Sequence, residues 1–206
     1  VLFIVAVGVI FSLISSRSNS TAAIPAAVSE ADGYGIVLNP ESTPKIDVYV
    51  DYQCPACRSF ELINGKYLNE VIEAKKAKVV FHPMTFIGPE SILAANAAAC
   101  SADENRFVAM NLALFQNQPS GENTGKWQNP FFVELGKSIG INSTTFESCV
   151  NDGKYVDWTT NVASASAKAD VNSTPTVLIN GTPLDRNTQY GDPANFKAAL
   201  EAAGVK

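Results

Sequence analysis

The sequence predicts an α/β domain: a central mixed sheet flanked by helices, with a helical segment inserted between its two halves. Three observations carry this. Apolar and polar residues alternate over Lys45–Gln53, then apolar residues switch to helical spacing from Pro55 to about Ala77; period two followed by period 3.6 reads as strand then helix. A second β-branched run, Lys78–Phe81, completes a β-α-β unit, whose two strands run parallel. A further strand, Thr176–Asn180, follows only after a long Ala-rich stretch, and Gly181-Thr182 turns it into a short strand at Pro183–Asp185.

In chain order, Val1–Ile14 (VLFIVAVGVIFSLI) is uncharged but shorter than the ~20 residues of a full membrane span. It reads as part of a transmembrane anchor or as the apolar core of a cleaved signal peptide, with a buried core helix as the third reading. The first two place the remainder outside the cytoplasm. Residues 15–33, Ser/Ala-rich at first, read as a linker. Residues 34–87 then form the first half of the fold, 88–170 the helical insertion and 171–206 the second half. Gly35–Leu38 reads as an edge strand. Pro55 suits a first helical position, where its missing N–H would be unpaired anyway. Phe60, Leu62-Ile63, Tyr67-Leu68 and Val71-Ile72 recur at helical spacing. His82-Pro83 ends the strand that precedes it. Ser91–Gln116 reads as one Ala-rich helical stretch, Asn117–Asn129 as a polar loop, and two or three more helices fill the way to Ala169. Asp192-Pro193 opens a last helix, to Ala203.

Composition removes several function classes. Of 206 residues, 46% are hydrophobic and 17% charged, which excludes general disorder. The net charge is −5, and no basic run exceeds Lys75-Lys76, so nucleic acid is not an expected partner. His82, the single histidine, stands before Pro83 and reads as a satisfied polar residue. With one His and no second close Cys pair, no metal site is expected. Trp127, Trp158, Phe131 and Phe132 read as core of the insertion.

The chemistry lies in Cys54-Pro55-Ala56-Cys57, placed where a strand ends and a helix begins. A C-x-x-C at that point of a β-α-β unit is the pattern of a redox dithiol. Unpaired N–H groups and the helix dipole favour an anion there. Cys54 is therefore the thiolate nucleophile, and Cys57, one turn inside, the shielded resolving thiol. The bland alternatives are an inert disulfide and half of a metal site. A second element, Thr174-Pro175, directly precedes the strand Thr176–Asn180.

The runs Val50–Cys57 (VDYQCPAC), Phe81–Pro89 (FHPMTFIGP), Ser91 with its Ala-rich helix, and Val171–Gly181 (VNSTPTVLING) together resemble DsbA-like thiol-disulfide oxidoreductases. The likeness is to exported or membrane-anchored forms of Gram-positive and actinobacterial type, over roughly Pro44–Lys206. It implies a thioredoxin fold with a helical insertion. It also implies that Pro175 is a cis proline, and that Thr174 before it offers its backbone to a substrate chain as an added strand.

The implied function is introduction of disulfide bonds into exported proteins that carry free thiols. Reoxidation would fall to a quinone-linked membrane protein of DsbB or vitamin K epoxide reductase type. No cofactor is called for. A reductase or isomerase of the same fold, or a peptide-binding assembly protein, are the alternatives. Two departures from the family stand out: the position six residues before Cys54 is Val48 where many relatives carry a buried acid, and the dipeptide is Pro-Ala. Asp47 and Asp51 lie nearby but on the face of the strand opposite Val48, which leaves open whether either relays protons from Cys57. If Cys54 pairs with Cys57, the remaining connectivity is Cys100 to Cys149, expected as a structural bridge in an oxidising compartment; the alternative is two separately buried free cysteines.

Overall fold

The computed structural model describes residues 22–206. The apolar stretch Val1–Ile14 and linker residues 15–21 lie outside the described residues. Among those described, no helix is long and apolar enough to cross a membrane.

Six strands form one sheet: β1 (Val28–Ser29), β2 (Gly35–Leu38), β3 (Lys45–Val50), β4 (Lys78–Pro83), β5 (Thr176–Ile179) and β6 (Thr182–Pro183). Their order across the sheet is β1-β2-β4-β3-β5-β6. β3 and β4 are parallel, joined by helix α1 (Pro55–Glu73), and every other neighbouring pair is antiparallel. Two details differ from the sequence reading. β2 is not the edge, because Val28-Ser29 pairs with Gly35-Ile36 and adds a strand outside it. Gly35 is required there: a Cβ would lie 2.4 Å from Val80 Cγ1. β4 also continues through His82 and Pro83, since its pairing with β3 runs on to Val50 opposite Pro83.

β3 is central, and both its faces are covered. Ile46, Val48 and Val50 are buried, but so are Asp47, Tyr49 and Asp51. The alternation thus separates an apolar core from a polar one, rather than core from solvent. Asp47 accepts a contact from His82 Nε2 at 3.0 Å and pairs with Lys45 Nζ at 3.0 Å. The His82 ring stacks on Tyr49, its register partner, with centroids 4.1 Å apart.

The stretch read as one helix from Ser91 is two: α2 (Pro89–Asp103) and α3 (Phe107–Gln116). Asn105 breaks it at φ 56°, a left-handed conformation that Asn tolerates better than most residues. The Arg106 N–H then closes back on the Ser101 carbonyl at 2.9 Å. α2 is buried almost all round, with Ala94, Ala95, Ala97, Ala98 and Ala99 without exposed surface; it is the central helix of the insertion. Around it lie α4 (Asn129–Ser138), α5 (Thr144–Asn151) and α6 (Trp158–Lys168). Trp127 and Trp158 are buried among them, and Trp158 Nε1 donates to the Tyr34 carbonyl at 2.9 Å. One turn of helix, α7 (Arg186–Gln189), has no apolar period to announce it; Asp185 caps it by accepting from the Asn187 N–H. The last helix, α8 (Pro193–Ala202), sets Phe196 edge-on against Phe60 of α1.

Candidate active site

Cys54 stands immediately before α1, with extended backbone (φ −72°, ψ 119°), and Pro55 is the first helical residue. The sulfur is therefore set at a helix end whose N–H groups lack intrahelical partners. Cys54 is half-buried, Cys57 wholly buried, and both are free thiols. The Cys54 pKa falls from its ordinary 9.0 to about 6, chiefly because the Cys57 thiol donates to its sulfur. The Cys57 and Ala56 N–H groups and the Thr174 side chain add to this, against the cost of burial. Cys57 moves the opposite way: burial pushes its thiol far up, and donating to Cys54 holds the proton on. One sulfur is a thiolate at neutral pH and its neighbour is not.

Thr174 and Pro175 close over this pair. The Cys54 thiol lies 3.7 Å from the Thr174 carbonyl, the Thr174-Pro175 peptide is cis, and Pro175 is buried. Topology explains the meeting. β5 starts at Thr176, opposite Tyr49 of β3, so the residues before β5 fall beside those after β3. Next to the dithiol runs a groove of about 360 Å³, with Ala56, Phe60, Ile63, Pro175 and Tyr190 in its walls.

Behind the dithiol, a polar lattice joins the active-site turn to the insertion. Asp51 accepts from Ser91 Oγ at 2.7 Å, from the Gln53 N–H at 2.9 Å and from the Ile87 N–H at 3.1 Å. Its pKa is raised, because burial outweighs these donors. Gln118 donates to the Tyr52 carbonyl at 2.7 Å and the Cys54 carbonyl at 3.0 Å. Of the two acids near Val48, Asp47 is committed to His82 and Lys45, whereas the Asp51 backbone reaches the Cys57 sulfur.

Glu61 was not singled out by sequence. It lies on α1 one turn beyond Cys57, is 3% exposed, and burial pushes its carboxyl up to about 7. Asn111 donates to it and accepts from the Tyr52 hydroxyl at 3.2 Å. The signal was available: Cys57, Glu61, Asn64, Leu68 and Ile72 form one stripe at helical spacing, with an acid inside it.

Cys100 of α2 and Cys149 of α5 are joined by a disulfide, Cα atoms 5.9 Å apart. Among the described residues no group of three or more His, Cys, Asp or Glu is placed to hold a metal ion.

A thioredoxin family model matches residues 33–202. The fold is similar to MdbA, a thiol-disulfide oxidoreductase from Actinomyces oris, with TM-score 0.74 and 21% identity over 89% of this chain and 93% of that one. BdbD from Bacillus subtilis superposes with TM-score 0.70 at 22% identity, covering 89% and 98%. Oxidised Mtb DsbA gives TM-score 0.67 and 27% identity, covering 81% and 88%. Among curated proteins, the chain is 24% identical over 168 residues to the Na(+)/H(+) antiporter NhaA 1 of Mycobacterium sp. (strain KMS). That match takes in 80% of this chain but 26% of the antiporter, so the chain spans about a quarter of the length of the curated relatives it matches. With the strand–dithiol–helix junction, the Thr174-Pro175 loop and the helical insertion in place, the chain belongs to the thioredoxin family, and its fold is similar to that of DsbA-type thiol-disulfide oxidoreductases.

Proposed function

We propose that the protein is a dithiol oxidase that introduces disulfide bonds into exported proteins, with Cys54 as nucleophile and Cys57 as resolving thiol. The observation that carries this is the split between the thiols: Cys54 half-exposed with its pKa lowered to about 6, Cys57 buried and held protonated. Stabilising the Cys54 thiolate stabilises the reduced state, and a stabilised reduced state makes the disulfide a stronger oxidant.

In the forward step a substrate thiolate attacks Cys54 Sγ of the oxidised protein. The Cys54–Cys57 bond breaks, and Cys57 departs with the electron pair and takes up a proton. A second substrate thiolate then attacks the substrate sulfur of the mixed disulfide, and Cys54 leaves as thiolate. Two substrate thiols become one disulfide, and the Cys54–Cys57 disulfide becomes a dithiol. The Thr174 backbone is where an extended substrate segment would add as a strand, held beside the attacked sulfur by Pro175.

A location outside the cytoplasm is supported by the Cys100–Cys149 bridge, since structural disulfides persist in oxidising compartments. The apolar Val1–Ile14 stretch fits an anchor or export signal, and a quinone-linked membrane protein of DsbB or vitamin K epoxide reductase type would restore the Cys54–Cys57 disulfide. The test is oxidation of a reduced, unfolded ribonuclease. The oxidised protein should restore its disulfides, Cys54→Ser should abolish this, and Cys57→Ser should accumulate mixed disulfides at Cys54. Undiminished oxidation by Cys54→Ser contradicts the assignment.

A further inference from the structure

Arg186 is the one charged residue among those lining the groove beside Cys54. It opens α7 and is exposed. Its Nη2 donates to Ser173 Oγ at 2.9 Å and to Thr176 Oγ1 at 3.1 Å. These two hydroxyls stand on either side of Thr174-Pro175, so the guanidinium is fixed to the loop that would carry a substrate strand. Both partners are neutral. Among the described residues Arg186 enters no ion pair, and its Nε and Nη1 hydrogens have no protein acceptor. The adjacent Asp185 keeps its charge but turns its carboxylate back onto α7, accepting from the Asn187 N–H at 3.0 Å and Thr188 Oγ1 at 2.8 Å, and forms no ion pair with Arg186. A guanidinium held in place with spare donors suits a carboxylate better than any other side chain. The rest of the groove, with Phe60, Ile63, Pro175 and Tyr190 in its walls, suits an apolar side chain. In a protein of net charge −5, a single cation in the lining of this groove is a selective feature.

We infer that Arg186 determines substrate preference, by pairing with an Asp or Glu close to the reactive cysteine of the incoming chain. This rests on the proposed oxidase reading. It makes the preferred substrate a segment bearing a cysteine, a nearby acid and an apolar side chain.

The test uses three synthetic dithiol peptides that differ only beside the first cysteine, with Glu, Gln or Lys at that position. Each is mixed with the oxidised protein, and the second-order rate of loss of the Cys54–Cys57 disulfide is read by acid quench and mass spectrometry. The peptide gives up two electrons and two protons to the Cys54–Cys57 disulfide. The Glu peptide should react about threefold faster than the Gln peptide and faster still than the Lys peptide, as a partly exposed ion pair allows. The Glu/Gln ratio should shrink toward one in 0.5 M salt and in Arg186→Gln, and survive in Arg186→Lys. The ratio is internal to each variant, so a general loss of activity cancels. A Glu/Gln ratio of one in the unaltered protein, or a ratio kept in Arg186→Gln, overturns the inference while leaving the oxidase reading intact. Failure of the oxidised protein to react with any of the three peptides, or with dithiothreitol, overturns the oxidase reading itself.

Discussion

The Cys54 thiol and the Thr174 carbonyl lie 3.7 Å apart although 120 residues separate them in the chain. Antiparallel pairing of β5 with β3, Tyr49 opposite Thr176 and Val48 opposite Val177, produces this contact. A one-residue slip would turn every side chain of β5 to the other face and draw the Thr174-Pro175 loop away from the sulfur. The helical insertion, entering between β4 and β5, leaves that register untouched.

Cys54 in the reduced protein is expected to alkylate with iodoacetamide along a curve centred near pH 6, with Cys57 unreactive over the same range. Removing the thiol donor should raise this midpoint, more in Cys57→Ala than in Cys57→Ser, whose hydroxyl still donates. The same shift acts on stability. A pKa lowered from 9.0 to about 6 makes the reduced protein gain stability as pH rises from about 6 to about 9, and lose it as pH falls through 6. The oxidised protein has no such thiol and should lack this slope in a denaturation series.

Glu61 is expected to act in the opposite sense. Its carboxyl titrates at about 7 instead of the ordinary 4.5. Its contribution to stability is therefore complete below about pH 4.5 and lost as pH climbs through 7. Glu61→Gln keeps the shape without the charge, so it should be more stable than the parent at pH 8, by about 3 kcal/mol at most. At pH 4 the two should be nearly equal. Equal stabilities at both pH values would show that the carboxyl is solvated in solution.

Much of this arrangement was legible in the sequence, for identifiable reasons. The switch from period two to helical spacing at Gln53–Pro55 marks β3, α1 and the position of Cys54 between them, and such signals are local. What was not legible depends on partners distant in the chain. The sequence alone does not show what Asp47, Asp51 and Glu61 face; that is set when His82, Ser91 and Asn111 are folded against them. Arg186 looks like an ordinary surface cation until Ser173 and Thr176 hold it over the groove. The helix break at Asn105 turns on one left-handed residue, which no period in the surrounding alanines marks. β1 has only two residues, too few to show any alternation.

Asp51→Asn is expected to loosen the active-site turn. Both carboxylate oxygens accept hydrogen bonds, two of them from the Gln53 and Ile87 backbone N–H groups. An amide must turn its NH₂ toward one of those donors. The loss of a buried acceptor should lower stability by about 1–3 kcal/mol, measured by urea denaturation of the oxidised form. An unchanged midpoint would show that the lattice joining Asp51, Ser91 and Gln53 adds nothing to stability.

Replacing Cys100 and Cys149 together by Ala should destabilise the insertion. The bridge closes a sequence separation of 49, worth roughly 4 kcal/mol in the chain-entropy model, with strain and denatured-state structure reducing the measured value. In a dithiothreitol titration of the parent, followed by thiol counting, Cys54–Cys57 should open first. The buried bridge should open only at much more reducing conditions. Simultaneous opening of the two would contradict this.

The most direct test of the central claim is the reduction potential of the Cys54–Cys57 pair, equilibrated against glutathione buffers and read by the fraction of alkylated Cys54. A dithiol oxidase requires that potential to lie well above the ≈ −270 mV of thioredoxin, and the lowered Cys54 pKa moves it in that direction. A value at or below thioredoxin's would mean that electrons flow outward from Cys54, and the protein would be a reductase.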